Sequence, residues 1–143
     1  MKRPIPRSNE LLDRVKEALT PNRLPLLIAI DGADGIGKSS LASWLAWQLG
    51  MPAIQLDLYL TSLEPVQWLT ADLQRAISHR LDRGCPVIVD GVLLLDALDQ
   101  IGRKADFLVR VDGGEGSRLA PQIAAYRSRQ KRSVNFTIAG YTD

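Results

Sequence analysis

The sequence predicts an α/β protein in which helices cover both faces of a mostly parallel sheet of about five strands. Short, continuous apolar runs alternate with helical segments along the chain, which is typical of successive βαβ units. The first run, PLLIAIDG at 25–32, leads into a glycine-rich segment, and its unbroken apolar character suits a strand buried on both faces. The 143 residues have the length of one domain and show no internal repeat, so we expect a single domain over 1–143.

The elements of the first half follow from apolar spacing and from residues that end helices. Ser8 is a suitable N-cap, the leucines and valine after it repeat at helical spacing, and Thr20-Pro21 ends the helix. Residues 1–22 are therefore expected to form a basic arm and a helix. The composition of residues 38–49 favours a second helix, and AIQLD at 53–57 predicts a second strand.

In the second half, apolar residues spaced three or four apart from Val66 to Leu81 predict an amphipathic helix. The remaining predicted elements are a strand at 86–95 that runs into a loop, a strand at 105–112, a basic helix within 117–132 and a strand at 134–141. Trp44, Trp47 and Trp68 fall at helical positions and are expected to pack on the sheet.

Composition and charge exclude several classes of protein. A hydrophobic content of 45% with 24% charged residues is that of a soluble globular protein. The single cysteine excludes a disulfide framework, and we find neither a membrane-length apolar stretch nor the apolar segment of a signal peptide. We therefore expect a cytoplasmic protein without a membrane partner. Positive charge is concentrated at 1–7 and 117–142, where it could meet phosphate or lie on a solvated face.

The segment GADGIGKS at 32–39 matches the phosphate-binding pattern G-x-x-x-x-G-K-[ST] in full, the Walker A form. Backbone N–H groups of such a loop and of the helix that follows bind phosphate oxygens. Lys38 can reach the β- and γ-phosphates, and the Ser39 hydroxyl can ligate Mg²⁺. The predicted nucleotide-binding residues are Gly32, Ala33, Asp34, Gly35, Ile36, Gly37, Lys38, Ser39 and Ser40.

The context of this motif also has the expected form, with an apolar strand before it and a helix after it. The sequence therefore predicts a three-layer α/β/α P-loop NTPase fold with ATP and Mg²⁺ as cofactors. The alternative is an ordinary strand–turn–helix connection. A dinucleotide site is disfavoured, because its pattern G-x-G-x-x-G does not match this loop.

Acidic residues follow two other predicted strands. Asp90 ends the run VIVD at 87–90, where it could hold Mg²⁺ directly or through water. Asp57 follows the second strand and could accept the proton of an attacking hydroxyl. Asp31, just before the loop, could reach waters around Mg²⁺. The alternatives are a strand-end turn at Asp90 and a helix cap or turn residue at Asp57.

At these residues the chain resembles the P-loop small-molecule kinases, in particular the uridine kinase and phosphoribulokinase group. The matching segments are IAIDGADGIGKSSLA at 28–42, LDLYL at 56–60 and VIVDGVLLL at 87–95. The resemblance covers roughly residues 24–112. It implies that Lys38 and Ser39 hold phosphate and Mg²⁺, that Asp57 is the general base, and that Tyr59 lines the acceptor pocket. Asp90 takes an acidic position where many relatives have Glu.

The family also has an arginine-rich lid with Arg-Asp and Arg-Gly-Arg elements, and its members are usually longer. In the comparable region, this chain has RSRQKR at 127–132, so a reduced lid is expected at 117–133. A lid excludes water and brings positive charge to the transferred phosphoryl group. Arg127, Arg129 and Arg132 are the lid candidates, with solvent-facing positions as the alternative for each.

The leading functional hypothesis is an ATP-dependent kinase acting on an unidentified small molecule, with Asp57 and Lys38 as the catalytic residues. A second is a catalytically reduced regulator, or simple ATPase, that binds ATP without an acceptor. A third is an ATPase that uses the basic tail on nucleic acid, although no interleaving of aromatic and basic residues supports that partner. A GTPase is disfavoured because the sequence has no Asn-Lys-x-Asp segment.

Overall fold

A computed structural model of the protein describes residues 5–21, 23–114 and 119–140. Its elements in chain order are α1 (Ser8–Leu19), β1 (Leu27–Gly32), α2 (Lys38–Leu49), β2 (Ala53–Gln55), a 3₁₀ helix (Leu56–Tyr59), β3 (Leu60–Leu63), β4 (Val66–Trp68), α3 (Thr70–Leu81), β5 (Val87–Gly91), α4 (Leu94–Gln100), β6 (Phe107–Asp112), α5 (Ala120–Arg129) and β7 (Phe136–Ala139).

Five strands form one parallel sheet in the order β2-β5-β1-β6-β7. The strand β1 leads into residues 32–39, called the phosphate loop here, and it lies at the centre of the sheet, buried along its whole length. Its Ile30 lies beside Asp90 of β5 on one side and Val109 of β6 on the other. The predicted parallel sheet of five strands is confirmed, and the unbroken apolar runs are explained by burial on both faces.

Helices cover both faces of this sheet. The connection from β1 to β2 crosses the sheet in the opposite direction to the later connections, so right-handed crossovers put α2 on one face and α3, α4 and α5 on the other. In agreement, α1 packs against α2, and α4 packs against β1. The three-layer α/β/α fold predicted from the sequence is confirmed.

The first helix has the predicted bounds but a different start. Leu11, Leu12 and Val15 are buried, and the helix ends before Thr20. The N-cap is Arg7, with a left-handed φ of 73°, whereas Ser8 is the first helical residue. The Ser8 hydroxyl donates to the Ile5 carbonyl instead of capping the helix. The prediction of Ser8 as N-cap was therefore wrong.

The segment from 56 to 69 differs most from its prediction. Asp57 lies in the 3₁₀ helix after β2, and α3 begins only at Thr70. Val66 and Trp68 belong to the antiparallel hairpin of β3 and β4, with a turn at Glu64 and Pro65. The spacing of Val66 and Leu69 continues the period of α3 by coincidence. The periodicity of so short an apolar run does not tell a strand from a helical turn.

Two further predictions were wrong. The apolar run after Val87 continues as a strand only to Gly91, and α4 begins at Leu94, because a run of this length spans two buried elements. Trp47 does not pack on the sheet, since it is 78% exposed, whereas Trp44 is partly buried against the core. Within residues 5–21, 23–114 and 119–140, no helix is long and apolar enough to cross a membrane.

Candidate phosphate-binding and acceptor site

The glycine-rich loop leaves the carboxyl end of β1 and leads into α2. Gly35 and Gly37 have φ values of 77° and 94°, in the left-handed region that favours glycine. At Gly32, an added Cβ would lie 2.7 Å from the carbonyl oxygen of Val111 on β6. The loop therefore needs glycine at these three positions, two for the backbone conformation and one for close packing.

Lys38 is held inside this loop. Its side chain is 5% exposed, and its Nζ donates a hydrogen bond of 3.0 Å to the carbonyl oxygen of Ala33. The ammonium group is thus held across the loop, with the amino end of α2 beside it. A buried cation next to backbone N–H groups at a helix start is the arrangement that binds phosphate.

The segments that follow β6 and β7 pack against the same loop. An added Cβ at Gly114, after β6, would clash with the Cβ of Ala33. An added Cβ at Gly140, after β7, would lie 2.7 Å from the carbonyl oxygen of Ile36. The backbone after both strands therefore packs directly on the phosphate loop. These contacts are not part of the eight-residue motif, and sequence reasoning missed them.

Ser39, in the first turn of α2, meets Asp90 near the carboxyl end of β5. The Ser39 hydroxyl donates to Asp90 Oδ1 at 3.2 Å, and Asp90 is only 2% exposed. Burial raises the pKa of Asp90 to about 6, although the charge of Lys38 and the hydrogen bond from Ser39 oppose that rise. Asp57 raises the pKa of Asp90 further, so the two carboxylates lie within electrostatic reach.

These oxygens fit a magnesium ion. Asp90 Oδ2 is buried and has no hydrogen-bond partner among the described residues, which leaves one carboxylate oxygen for a ligand. Mg²⁺ prefers oxygen ligands and binds through one or two protein groups, with phosphates and waters completing its shell. Across 5–21, 23–114 and 119–140 no cluster of three acidic, histidine or cysteine side chains forms a metal cage. A Ser39–Asp90 pair that shares Mg²⁺ with phosphate does not require one.

Asp57 lies beside a cleft of about 190 Å³ that begins at the phosphate loop. The hairpin of β3 and β4 supplies much of its wall, which the predicted helix over this segment did not anticipate. The described lining residues are Asp34, Asp57, Leu60, Leu63, Val66, Trp68, Val92, Leu93 and Leu119. Tyr59, predicted to line the acceptor pocket, packs partly buried against the core, and its carbonyl accepts the Leu69 N–H at 2.7 Å.

The three lid arginines have different positions. Arg129 forms an ion pair with Asp96 of α4, and Arg132 donates to the carbonyl oxygen of Ala105. Because Ala105 precedes β6, Arg132 lies at the amino end of the sheet, opposite the phosphate loop. Arg127 is exposed on α5, and its charge acts on buried Asp31. Of the lid segment 117–133, residues 117 and 118 lie outside the described residues.

Asp31 does not point toward Ser39. Tyr126 of α5 donates to Asp31 Oδ2 at 2.9 Å, and the N–H of Leu94 also donates to this carboxylate. The Tyr126 hydroxyl in turn accepts the N–H of Leu95 at 2.9 Å. Asp31 therefore joins the end of β1 to α4 and α5, on the opposite face of the sheet from α2.

Two solved structures share this architecture. A possible uridine kinase from Bacillus stearothermophilus has a TM-score of 0.65 at 16% identity, over 92% of this chain and 97% of that one. A gluconokinase from Sinorhizobium meliloti 1021 has a TM-score of 0.52 at 20% identity, over 85% of this chain and 86% of that one. The chain has the fold of a P-loop kinase. No protein-family model and no curated protein matches the sequence.

The P-loop kinase resemblance predicted from three short segments is thereby confirmed as a likeness of fold. Sequence reasoning missed the hairpin that forms the wall of the cleft. Its signal was present in Glu64-Pro65, a turn dipeptide between two segments that include Leu60, Leu63 and Val66. The helical spacing that continues into α3 obscured this signal.

Proposed function

We propose that the protein is an ATP-dependent phosphotransferase that acts on the hydroxyl group of a small molecule. The observation that carries this proposal is the contact between the Ser39 hydroxyl and Asp90 at 3.2 Å, beside buried Lys38. A hydrolase of ATP needs these groups as well. The adjoining cleft with Asp57 at its edge, together with the kinase fold, favours a second substrate.

In this proposal, backbone N–H groups of the loop and the Lys38 ammonium bind the β- and γ-phosphates of ATP. Ser39 and Asp90 hold Mg²⁺, which when bound neutralises charge on the phosphates. Asp57 accepts a hydrogen bond from the acceptor hydroxyl, orients it toward the γ-phosphate and takes its proton. Arg127 is the remaining lid candidate, because Arg129 contacts Asp96 and Arg132 contacts Ala105.

A second candidate function is an ATP-binding regulator without an acceptor. It is favoured by the contacts of Arg129 and Arg132, which engage two of the three lid candidates with Asp96 and with the Ala105 carbonyl. This regulator would use the same loop and the same Lys38, so nucleotide binding alone does not distinguish the two functions. A role for Asp57 in turnover distinguishes the phosphotransferase from the regulator.

The test is Mg²⁺-dependent ADP formation from ATP across a panel of hydroxylated small molecules. Asp57→Asn should lower acceptor-stimulated turnover by roughly 10²- to 10⁴-fold, the range for removal of a general base, while ATP binding is retained. Lys38→Ala should weaken both ATP binding and turnover. Asp13→Asn is the matched control, since Asp13 is an exposed aspartate on α1.

Equal turnover in Asp57→Asn and Asp13→Asn would remove Asp57 from the reaction. Binding of ATP through Lys38 without stimulation by any acceptor would favour the regulator.

A further inference from the structure

We propose that Ile36 and Gly140 are positioning residues for phosphate, because the backbone after β6 and β7 holds the phosphate loop in its binding conformation before nucleotide arrives. That backbone, at Gly113, Gly114 and Gly140, is called the platform here. This inference rests on the proposed function, since it takes the loop to bind the phosphates of ATP. It assigns roles to residues that the sequence motif does not specify.

The Ile36 side chain lies between the phosphate loop and the platform. Ile36 is 5% exposed, although it occupies a position of the motif that any residue can fill. An added Cβ at Gly32 would lie 3.4 Å from Ile36 Cδ1. Added Cβ atoms at Gly113 and Gly114 would lie 3.7 Å and 3.3 Å from Ile36 Cγ2. The side chain therefore packs against the end of β1 and the segment after β6.

Gly140 packs on the backbone of the same residue. Its added Cβ would lie 2.9 Å from the Cβ of Ile36 and 2.7 Å from the carbonyl oxygen of Ile36. A backbone oxygen cannot rotate away as the end of a side chain can. Any residue larger than glycine at position 140 must therefore displace the Ile36 carbonyl or the end of β7.

A displaced Ile36 carbonyl changes a group that is proposed to bind phosphate. This carbonyl and the N–H of Gly37 belong to one planar peptide unit, so they turn together. Gly37 directly precedes Lys38, where α2 begins. Hydrogen bonds weaken steeply when donor and acceptor are misaligned, so the direction of the Gly37 N–H affects phosphate binding.

The platform also contacts the other side of the loop. An added Cβ at Gly114 would clash with the Cβ of Ala33. The carbonyl oxygen of Ala33 is the acceptor for Lys38 Nζ, at 3.0 Å. The platform thus contacts both the residue that holds Lys38 and the residue that precedes Gly37.

The platform is itself held by the sheet. The Gly140 N–H donates to the carbonyl oxygen of Asp112 at 2.8 Å, which extends the pairing of β7 with β6. Phe136 and Ile138 of β7 are buried in the core. Glycine-rich backbone loses much conformational freedom when it is ordered, and ordering it before the ligand binds raises affinity.

The experiment is calorimetric titration with two probes, ATP with Mg²⁺ and inorganic tripolyphosphate. Gly140→Ala should weaken the binding of both probes by roughly tenfold or more, because the phosphate donors are misaligned. Ile36→Ala should weaken both by roughly fivefold or more, and Ile36→Val, which keeps the branched Cβ, should stay within about threefold of wild type. Weaker binding of ATP with unchanged binding of tripolyphosphate would overturn the inference.

Ile101→Ala is the matched control for Ile36→Ala. Ile101 is 7% exposed, follows α4 and lies outside the phosphate loop. Both substitutions open a cavity in the core, so both should lower the midpoint of urea unfolding. Only Ile36→Ala should weaken the binding of the probes. Equal weakening in the two variants would reduce Ile36 to a residue of the core and overturn its positioning role.

Amide hydrogen exchange of the ligand-free protein measures the loop without any ligand. Gly140→Ala and Ile36→Ala should raise the exchange rate over residues 33–38 by roughly tenfold or more, and Ile101→Ala should leave it near that of wild type. Unchanged exchange in Gly140→Ala would overturn the proposal that the platform orders the loop.

The same variants separate this inference from the proposed function. If no acceptor is phosphorylated, the phosphotransferase fails, and weaker ATP binding in Gly140→Ala still supports the platform. If an acceptor is phosphorylated and Gly140→Ala binds both probes as wild type does, the inference is overturned while the phosphotransferase stands. Failure of wild type to bind either probe would overturn both.

Discussion

Two buried aspartates at the ends of neighbouring strands have opposite surroundings. Asp31 of β1 pairs in register with Gly91, and Asp90 of β5 pairs with Ile30, so their side chains point to opposite faces of the sheet. Asp31 accepts hydrogen bonds from Tyr126 and Leu94. Asp90 has one oxygen bonded to Ser39 and the other without a partner among the described residues.

This difference distinguishes a structural carboxylate from a candidate metal ligand. Burial raises the pKa of both groups, so a raised pKa alone does not identify the functional one. Asp31 is satisfied by protein donors and connects three elements. Asp90 faces Lys38 and Ser39, and its second carboxylate oxygen has no hydrogen-bond partner among the described residues. A buried oxygen without a partner is unfavourable for stability unless a ligand completes the site.

The largest expected effect is on activity. Asp90→Asn should lower Mg²⁺-dependent turnover by roughly 10²-fold or more, because it removes the anionic oxygen proposed to hold the metal. Asp31→Asn keeps an oxygen that can accept from Tyr126, so its turnover should stay within about threefold of wild type. Steady-state kinetics at saturating ATP measures both. A comparable loss in the two variants would end the distinction between them.

The next effect is on stability. Tyr126→Phe removes the donor to Asp31 and the acceptor for the Leu95 N–H, so it should lower the free energy of unfolding by about 1–3 kcal/mol. Urea unfolding measures this change. Tyr59→Phe is the control, since Tyr59 is only partly buried. An unchanged midpoint in Tyr126→Phe would show that the Asp31 network does not stabilise the fold.

The third effect concerns pH in the absence of metal and nucleotide. Because burial raises the pKa of Asp90 from 3.8 to about 6, the folded state binds more protons than the unfolded state between these values. The free energy of unfolding therefore falls as pH rises from about 4 to 6, by at most about 3 kcal/mol from this group. Asp90→Asn should remove that part of the slope, and the contribution of Asp31, which has the same sign, should remain.

Urea unfolding at intervals between pH 4 and pH 8 tests this prediction. Asp13→Asn is the control, because Asp13 is exposed on α1. Asp106→Asn would be unsuitable, because Asp106 accepts a hydrogen bond from the Leu27 N–H. A slope that is identical in Asp90→Asn and Asp13→Asn would contradict the cause assigned to the raised pKa.

The parts of the molecule that were predictable are those with a local signal. The central strand, the glycine loop and α2 follow from unbroken apolar character and from an eight-residue pattern whose spacing is set by phosphate geometry. The hairpin was missed because Val66 and Leu69 fit the period of α3. Contacts such as Gly140 on Ile36 join residues about a hundred positions apart, and no local pattern encodes them.

The candidate site divides in the same way. The motif and the ends of apolar strands identified Lys38, Ser39 and Asp90, which the fold brings together. The hydrogen-bond partners of Asp31 and Arg132 could not be predicted from the sequence, because they depend on how α5 packs against α4 and β6. Residue type and charge alone do not specify which face of the sheet a side chain joins.

Calorimetric titration of ATP with and without Mg²⁺ into wild type, Asp90→Asn and Asp31→Asn tests whether Asp90 holds the metal. Mg²⁺ should tighten ATP binding by roughly tenfold or more in wild type and Asp31→Asn, and should have little effect in Asp90→Asn. An equal effect of Mg²⁺ in all three proteins, or no binding of ATP to wild type, would contradict this role of Asp90.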